Sequence, residues 1–180
     1  MKKTFIALLR GINVSGQKKI KMAELRETLT QSGLENVQTY IQSGNIIFES
    51  GITEVSTLEH TIHEVIAKDF GFNVPTLVVS GNDIKRVLED NPFTEKEEEN
   101  RLYYVLLKQA PEKDLVAQFE ELRFVNEDFH VTEKCVYLMC KKRYGNAKLN
   151  NNLIERKLKV EATTRNQKTM QKLLDMTKND

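Results

Sequence analysis

Three polar stretches hold the side chains best suited to bind a ligand or react with one. The first is Arg10-Gly11-Ile12-Asn13-Val14-Ser15-Gly16, followed by Lys18, Lys19 and Lys21. Phe5 to Leu9 is an apolar run too short for a helix before Gly11, and it reads as a buried strand. Arg10 and Asn13 then project from that strand's carboxyl end, where α/β architectures tend to bind ligands. Gly11 and Gly16 allow backbone conformations closed to other residues and let a partner approach the main chain. Two readings stand: an anion-facing loop, and a plain surface loop with solvated lysines. Gly11 to Lys18 looks superficially like a Walker A loop. It fails, because Gln17 stands where the lysine must follow the second glycine and no Ser or Thr comes after.

The second stretch is Tyr40-Ile41-Gln42-Ser43-Gly44-Asn45, a tight hairpin turn carrying Tyr40, Ser43 and Asn45. Tyr40 reads as a half-buried packing residue with a polar tip. The third is Thr163-Thr164-Arg165-Asn166, just before the last helix. Thr164 or Asn166 caps that helix on a structural reading. On a functional reading, a helix N-terminus beside Arg165 is an anion site.

Familiar catalytic arrangements are missing. Ser43 lacks the flanking glycines of a nucleophile elbow. His60, His63 and His130 have no evident Ser or Cys partner, and no Asp/Glu pair stands apart as acid and base. Cys135 and Cys140 are the only cysteines and lie an odd number of positions apart in one expected strand, so they face opposite sides. Cys140 precedes Lys141 to Arg143, which would lower a thiol pKa, yet a strand thiol is more often a small core residue. With three His and no close Cys/His cluster, no zinc site is expected. The cysteine usage fits a reducing compartment. No run is long or apolar enough to cross a bilayer, and the N-terminal apolar run is too short for a signal-peptide core. The expectation is a cytoplasmic protein with no membrane partner.

The expected scaffold of these stretches is a strand to Leu9, a helix from Met22 to Ser32, and strands Val37 to Ile41 and Ile46 to Glu49. A helix from Val55 to Phe70, a strand from Val74 to Val79 and a helix from Asn82 to Leu88 follow. That βαββαβ order is ferredoxin-like. Glu89 to Asn100, polar and acidic with Pro92, reads as a linker or exposed loop. The order then begins again: a strand Leu102 to Leu107, a helix Glu112 to Leu122 opened by Pro111, strands Phe129 to Val131 and Cys135 to Lys141, a helix Leu149 to Leu158, an extended Val160 to Thr163, and a helix Gln167 to Met176. Ala7 to Arg10 matches Val105 to Lys108. Tyr40-Ile41 and Ile46 to Phe48 match His130-Val131 and Val136 to Leu138 at one offset, and Ile84, Val87 and Leu88 match Met170, Leu173 and Leu174 at another. The pattern points to a duplication with a smaller second half, in which the last strand is shortened or missing. The expected fold is α+β, with a ferredoxin-like subdomain over 1–90 and a second α+β subdomain with basic C-terminal helices over 101–180.

The 180 residues carry a formal net charge of only +1. Lys134 to Lys172 nevertheless holds eleven basic residues against Glu155 and Glu161. Such a field attracts phosphates and acidic partners; lysine-coated helix faces are the plain alternative. An RNA-binding sheet would show Tyr103, Tyr104 or Tyr137 as stacking aromatics, but the octamer of that module is absent.

Taken together, Leu8 to Val14, Tyr40 to Asn45 and Ala162 to Asn166 resemble the bacterial domain-of-unknown-function family 1697 over nearly the full length. The resemblance implies a two-part α+β protein with ferredoxin-like character, no established activity and no known cofactor. Members often carry a glycine where Ser15 stands and a Trp where Gln167 stands.

The expected function is a binding module for a phosphate-bearing or anionic ligand, a nucleotide or nucleic acid. Arg10, Asn13 and Gly16 form one wall, Thr164, Arg165 and Asn166 the other, and Tyr40, Ser43 and Asn45 close the site. The alternatives are an enzyme acting on a small anionic substrate between the halves, and a structural or dimerising protein without a ligand.

Overall fold

The computed structural model describes residues 1–93 and 96–178. Its first sheet contains β1 (Lys3–Leu9), β2 (Glu35–Tyr40), β3 (Asn45–Ser50) and β4 (Thr76–Ser80). The strands lie in the order β2-β3-β1-β4, and every pairing is antiparallel. Two helices, α1 (Met22–Gln31) and α2 (Val55–Phe70), connect them in βαββαβ order. Alternation along β1 explains its unbroken apolar run. Phe5, Ala7 and Leu9 pack with Leu25, Leu29, Leu58, Ile62 and Ile66 of the two helices, while Ile6 and Leu8 are equally buried on the other face. In α2 the left-handed Gly71, at φ 74°, ends the helix with its N–H donating to the Ala67 carbonyl.

The second sheet repeats the plan. It contains β5 (Leu102–Leu107), β6 (Glu127–Val131), β7 (Cys135–Cys140) and β8 (Ala162–Asn166), in the order β6-β7-β5-β8. Its pairings are again all antiparallel. Here α4 (Lys113–Glu120) and α5 (Asn151–Leu158) bury Phe119, Ile154 and Leu158 against Val105, Val136 and Leu138. The remaining helices, α3 (Gly81–Glu89) and α6 (Gln167–Thr177), each follow the last strand of a sheet.

The two halves are alike down to strand register. Ala7 sits opposite Ile46 and Val78 in the first sheet; Val105 sits opposite Val136 and Thr164 in the second. The last strand of the second half is therefore present, contrary to the expectation of a shortened one. As an edge strand it needs an apolar run less than a central one does. It places Ala162, Thr163 and Arg165 inside despite its polar composition. One expected match shifts. Thr39 opposite Ile46 corresponds to Val131 opposite Val136, so Tyr40 aligns with Thr132 rather than His130, because the second hairpin has a turn two residues shorter.

The chain divides into two compact units, Met1–Ile84 with Leu173–Asp180, and Lys85–Lys172. The boundaries fall inside α3 and α6, whereas the sequence predicts a division into 1–90 and 101–180. The expected linker also has structure of its own. Lys96–Arg101 form a 3₁₀ helix, and Asn91 is buried, donating from Nδ2 to the Tyr104 hydroxyl at 2.8 Å. Thr94 and Glu95 of that stretch lie outside the described residues.

Candidate functional site

The first two polar stretches meet in the first unit, through Asn13. Its Nδ2 donates to the carbonyl of Ile20 at 3.0 Å and to the carbonyl of Gln42 at 2.8 Å. Its Oδ1 accepts from the Ile20 N–H at 2.9 Å. Asn13 itself is left-handed, at φ 54°, a conformation asparagine tolerates better than most residues. One side chain thus closes the loop that follows β1 and ties it to the β2–β3 turn.

Between these bonds the loop makes a small hairpin. The Gln17 N–H donates to Val14 at 2.9 Å, and the two central residues, Ser15 and Gly16, both have positive φ of 51° and 74°. That is the dihedral signature of a type I′ turn, and the Ser-Gly dipeptide was its signal in the sequence. Gly11, Ser15 and Gly16 are exposed. Among the described residues, their N–H groups have no protein acceptor. The cations stand around this turn in different states. Lys18 donates to the Asn73 carbonyl at 2.6 Å, and Lys21 lies 3.5 Å from Glu24. Lys19 is exposed and makes no ion pair among the described residues. Arg10 is half-buried, with its N–H donating to Pro75 at 3.0 Å.

The hairpin turn is built as tightly. Asn45 is fully buried and donates to the Tyr40 carbonyl at 3.0 Å and to Ser43 Oγ at 2.9 Å. Leu9 donates to the Gly44 carbonyl at 2.8 Å. A Cβ at Gly44 would stand 2.5 Å from that of Leu9, and its φ is 85°, so close approach and backbone both require glycine. Tyr40 is half-buried, as its amphipathic character suggested.

The third stretch belongs to the second unit, and each of its residues has its own work there. The Thr164 hydroxyl donates to Asn151 Oδ1 at 2.8 Å, which fastens β8 to the start of α5. Asn166 caps α6, with Oδ1 accepting from the Thr169 N–H at 2.9 Å; of the two expected caps, it is the one used. Arg165 is buried, and burial lowers its guanidinium pKa to about 10. It donates to Thr163 Oγ1 at 2.8 Å and to the Thr164 carbonyl at 2.9 Å.

Two aromatic candidates prove to be interior. Tyr104 and Tyr137 are buried edge-to-face, with ring centroids 5.7 Å apart. The Tyr104 hydroxyl also donates to Gln167, and the Tyr137 hydroxyl to the Val87 carbonyl at 2.9 Å. Tyr103 stacks on Tyr144 at 4.7 Å. Both cysteines are buried and free. Burial pushes the Cys140 thiol up to about 11 and Cys135 well above its ordinary value. The lysines after Cys140 do not activate it. Among the described residues no group of three or more His, Cys, Asp or Glu is placed to hold a metal.

Glu59 lies outside all three polar stretches. Its Oε1 accepts from the Val78 N–H at 3.0 Å, satisfying an outward amide of edge strand β4 from helix α2. A carboxylate inside the apolar stripe of that helix was the available signal.

The family described as "Protein of unknown function (DUF1697)" matches residues 1–137. The chain belongs to this family. The match takes in Leu8 to Val14 and Tyr40 to Asn45, the two stretches that Asn13 joins, and stops before Ala162 to Asn166. A solved structure, described as that of the conserved bacterial protein SP0830 from Streptococcus pneumoniae, is similar over 99% of this chain and 100% of its own. The identity is 28% and the TM-score 0.80. Among curated proteins, none matches the chain.

Proposed function

We propose that this DUF1697 chain is a binding module for a phosphate-bearing ligand, of the nucleotide or nucleic-acid class, seated on loop 10–21 of the first unit. One observation carries the reading. Gly11, Ser15 and Gly16 are exposed, their N–H groups have no acceptor among the described residues, and they share a loop rich in left-handed residues with Arg10, Lys18, Lys19 and Lys21. Successive amides in such turns form anion-binding concavities, and nearby cations strengthen the field. Asn13, Ser43 and Asn45 then act as scaffold for the loop, and the ligand touches backbone and lysine.

Binding is favoured over catalysis because residues 10–21 include no carboxylate, imidazole or thiol. General acid–base chemistry needs such a group within hydrogen-bond reach. The strand order of each sheet fits a ferredoxin-like description, and free buried cysteines fit a reducing, cytoplasmic setting. No described helix is long and apolar enough to cross a membrane.

The test is equilibrium binding of a labelled oligonucleotide and of a nucleotide across a salt series. Phosphate contacts give a log affinity that falls linearly with log salt, by about 0.7 to 0.9 per phosphate engaged. Lys19→Glu should weaken both ligands. Affinity indifferent to salt and to Lys19 would remove the proposal.

A further inference from the structure

The two sheets have four edge strands, β2, β4, β6 and β8, and three of them are blunted. β2 has a register break between Glu35 and Gln38. β4 has its Val78 N–H met by Glu59, and the Ala162 carbonyl of β8 accepts from Asn151 Nδ2 at 3.1 Å. Bulges and covering groups of this kind keep an edge from pairing with another chain. β6 has none. It contains no Lys, Pro or Gly, its register with β7 is unbroken, and no strand lies on its other side among the described residues.

The ladder says which groups are left over. The Lys141 N–H donates to Asn126 and the Thr132 N–H to Cys135. Alternation in an antiparallel pair then turns the N–H and C=O of Asp128 and His130 toward β7, and those of Glu127, Phe129 and Val131 outward. All five residues of β6 line one pocket of about 260 Å³, walled further by Phe93, Leu122 and Phe124.

We propose that β6 is the edge through which two copies of this chain pair, antiparallel, about a two-fold axis at Phe129. In that register the two Phe129 residues face each other and exchange N–H···O bonds, and Glu127 does the same with the partner's Val131. Asp128 stands opposite the partner's His130, twice by symmetry. This is a non-hydrogen-bonded position, where side chains approach most closely. Carboxylate against imidazole is the complementarity that selects a second copy: a ring N–H of His130 can donate to the facing carboxylate, whereas two facing carboxylates repel. A parallel pairing would set Asp128 against Asp128. Lys141, 3.6 Å from Asp128 on the neighbouring strand, leaves that carboxylate about half exposed, and His130 is exposed while stacking on Tyr137.

An edge pairing of this size falls below a standard interface, so association in the range of about 10–100 µM is expected. Sedimentation velocity of the full chain, across concentrations from about 1 to 500 µM, should show a monomer–dimer equilibrium. Asp128→His and His130→Asp should each weaken it about tenfold or more, and the double variant D128H/H130D, which restores each opposition, should recover to within about threefold. In the unaltered protein, hydrogen-exchange protection of the Phe129 amide should rise with concentration, a readout that needs no variant. A monomer throughout overturns the proposal, as does a dimer indifferent to both single changes, a double variant that fails to recover, or a Phe129 amide protected equally at all concentrations. A monomer that instead takes up an added extended peptide at β6 also overturns self-pairing.

Discussion

Asn13 Nδ2 lies 2.8 Å from the carbonyl oxygen of Gln42, and this bond joins the loop after β1 to the turn of the first hairpin. Both stretches look like ligand contacts in the sequence. In the structure each explains the other: the carboxamide holds the loop closed against the turn.

Asn13→Ala removes three hydrogen bonds and puts alanine at a positive φ. A loss of about 2–4 kcal/mol is expected from urea unfolding. Asn13→Gly loses the same bonds but accepts φ 54° and should cost less by about 1 kcal/mol. Equal losses would show that the backbone conformation contributes nothing.

Gly44→Ala should be among the worst single changes in the first unit. The new methyl would meet Leu9 Cβ at 2.5 Å, inside packed backbone at φ 85°. The expected cost is about 3 kcal/mol or more. Gly145→Ala, with nothing within 4 Å of its Cβ position, is the control and should stay within about 0.5 kcal/mol.

Alkaline pH should unfold the protein through its buried acids. Burial pushes Cys140 from 9.0 up to about 11 and Tyr104 from 10.0 up to about 12, and raises Tyr103, Tyr137 and Cys135 as well. A folded acid with a raised pKa holds its proton longer than the unfolded chain does. Its stabilisation is whole below about pH 9 and is lost as pH climbs through the folded values, toward about pH 12. Burial of Arg165 acts in the opposite sense, one group against five. Thermal midpoints measured from pH 8 to pH 11 should fall, and the native thiols should resist alkylation at neutral pH. A flat profile or rapid native labelling would contradict the burial described for these groups.

Much of the architecture was legible because apolar periodicity and turn residues carry it. Leu58, Ile62 and Ile66 mark α2, and the repeated βαββαβ order emerges from alternating strand and helix patterns. β8 was hard to read because Ala162, Thr163, Thr164 and Arg165 earn their place by pairing beside β5, a contact that local pattern does not encode. Of the site, the sequence showed the residue types but not their direction. Nothing in Asn13 or Asn45 says that the amide turns inward to carbonyls 29 and 5 positions away. Arg165 reads as a surface cation until its register opposite Tyr104 places it inside.

The most direct measurement is an amide chemical-shift titration of the protein with inorganic phosphate. Saturable shifts should appear at Gly11, Ser15 and Gly16, and Lys19→Glu should diminish them while the Asn45 amide stays still. Should those three amides fail to move, or move no more than exposed residues on α4, the loop binds no anion and its lysines are ordinary surface.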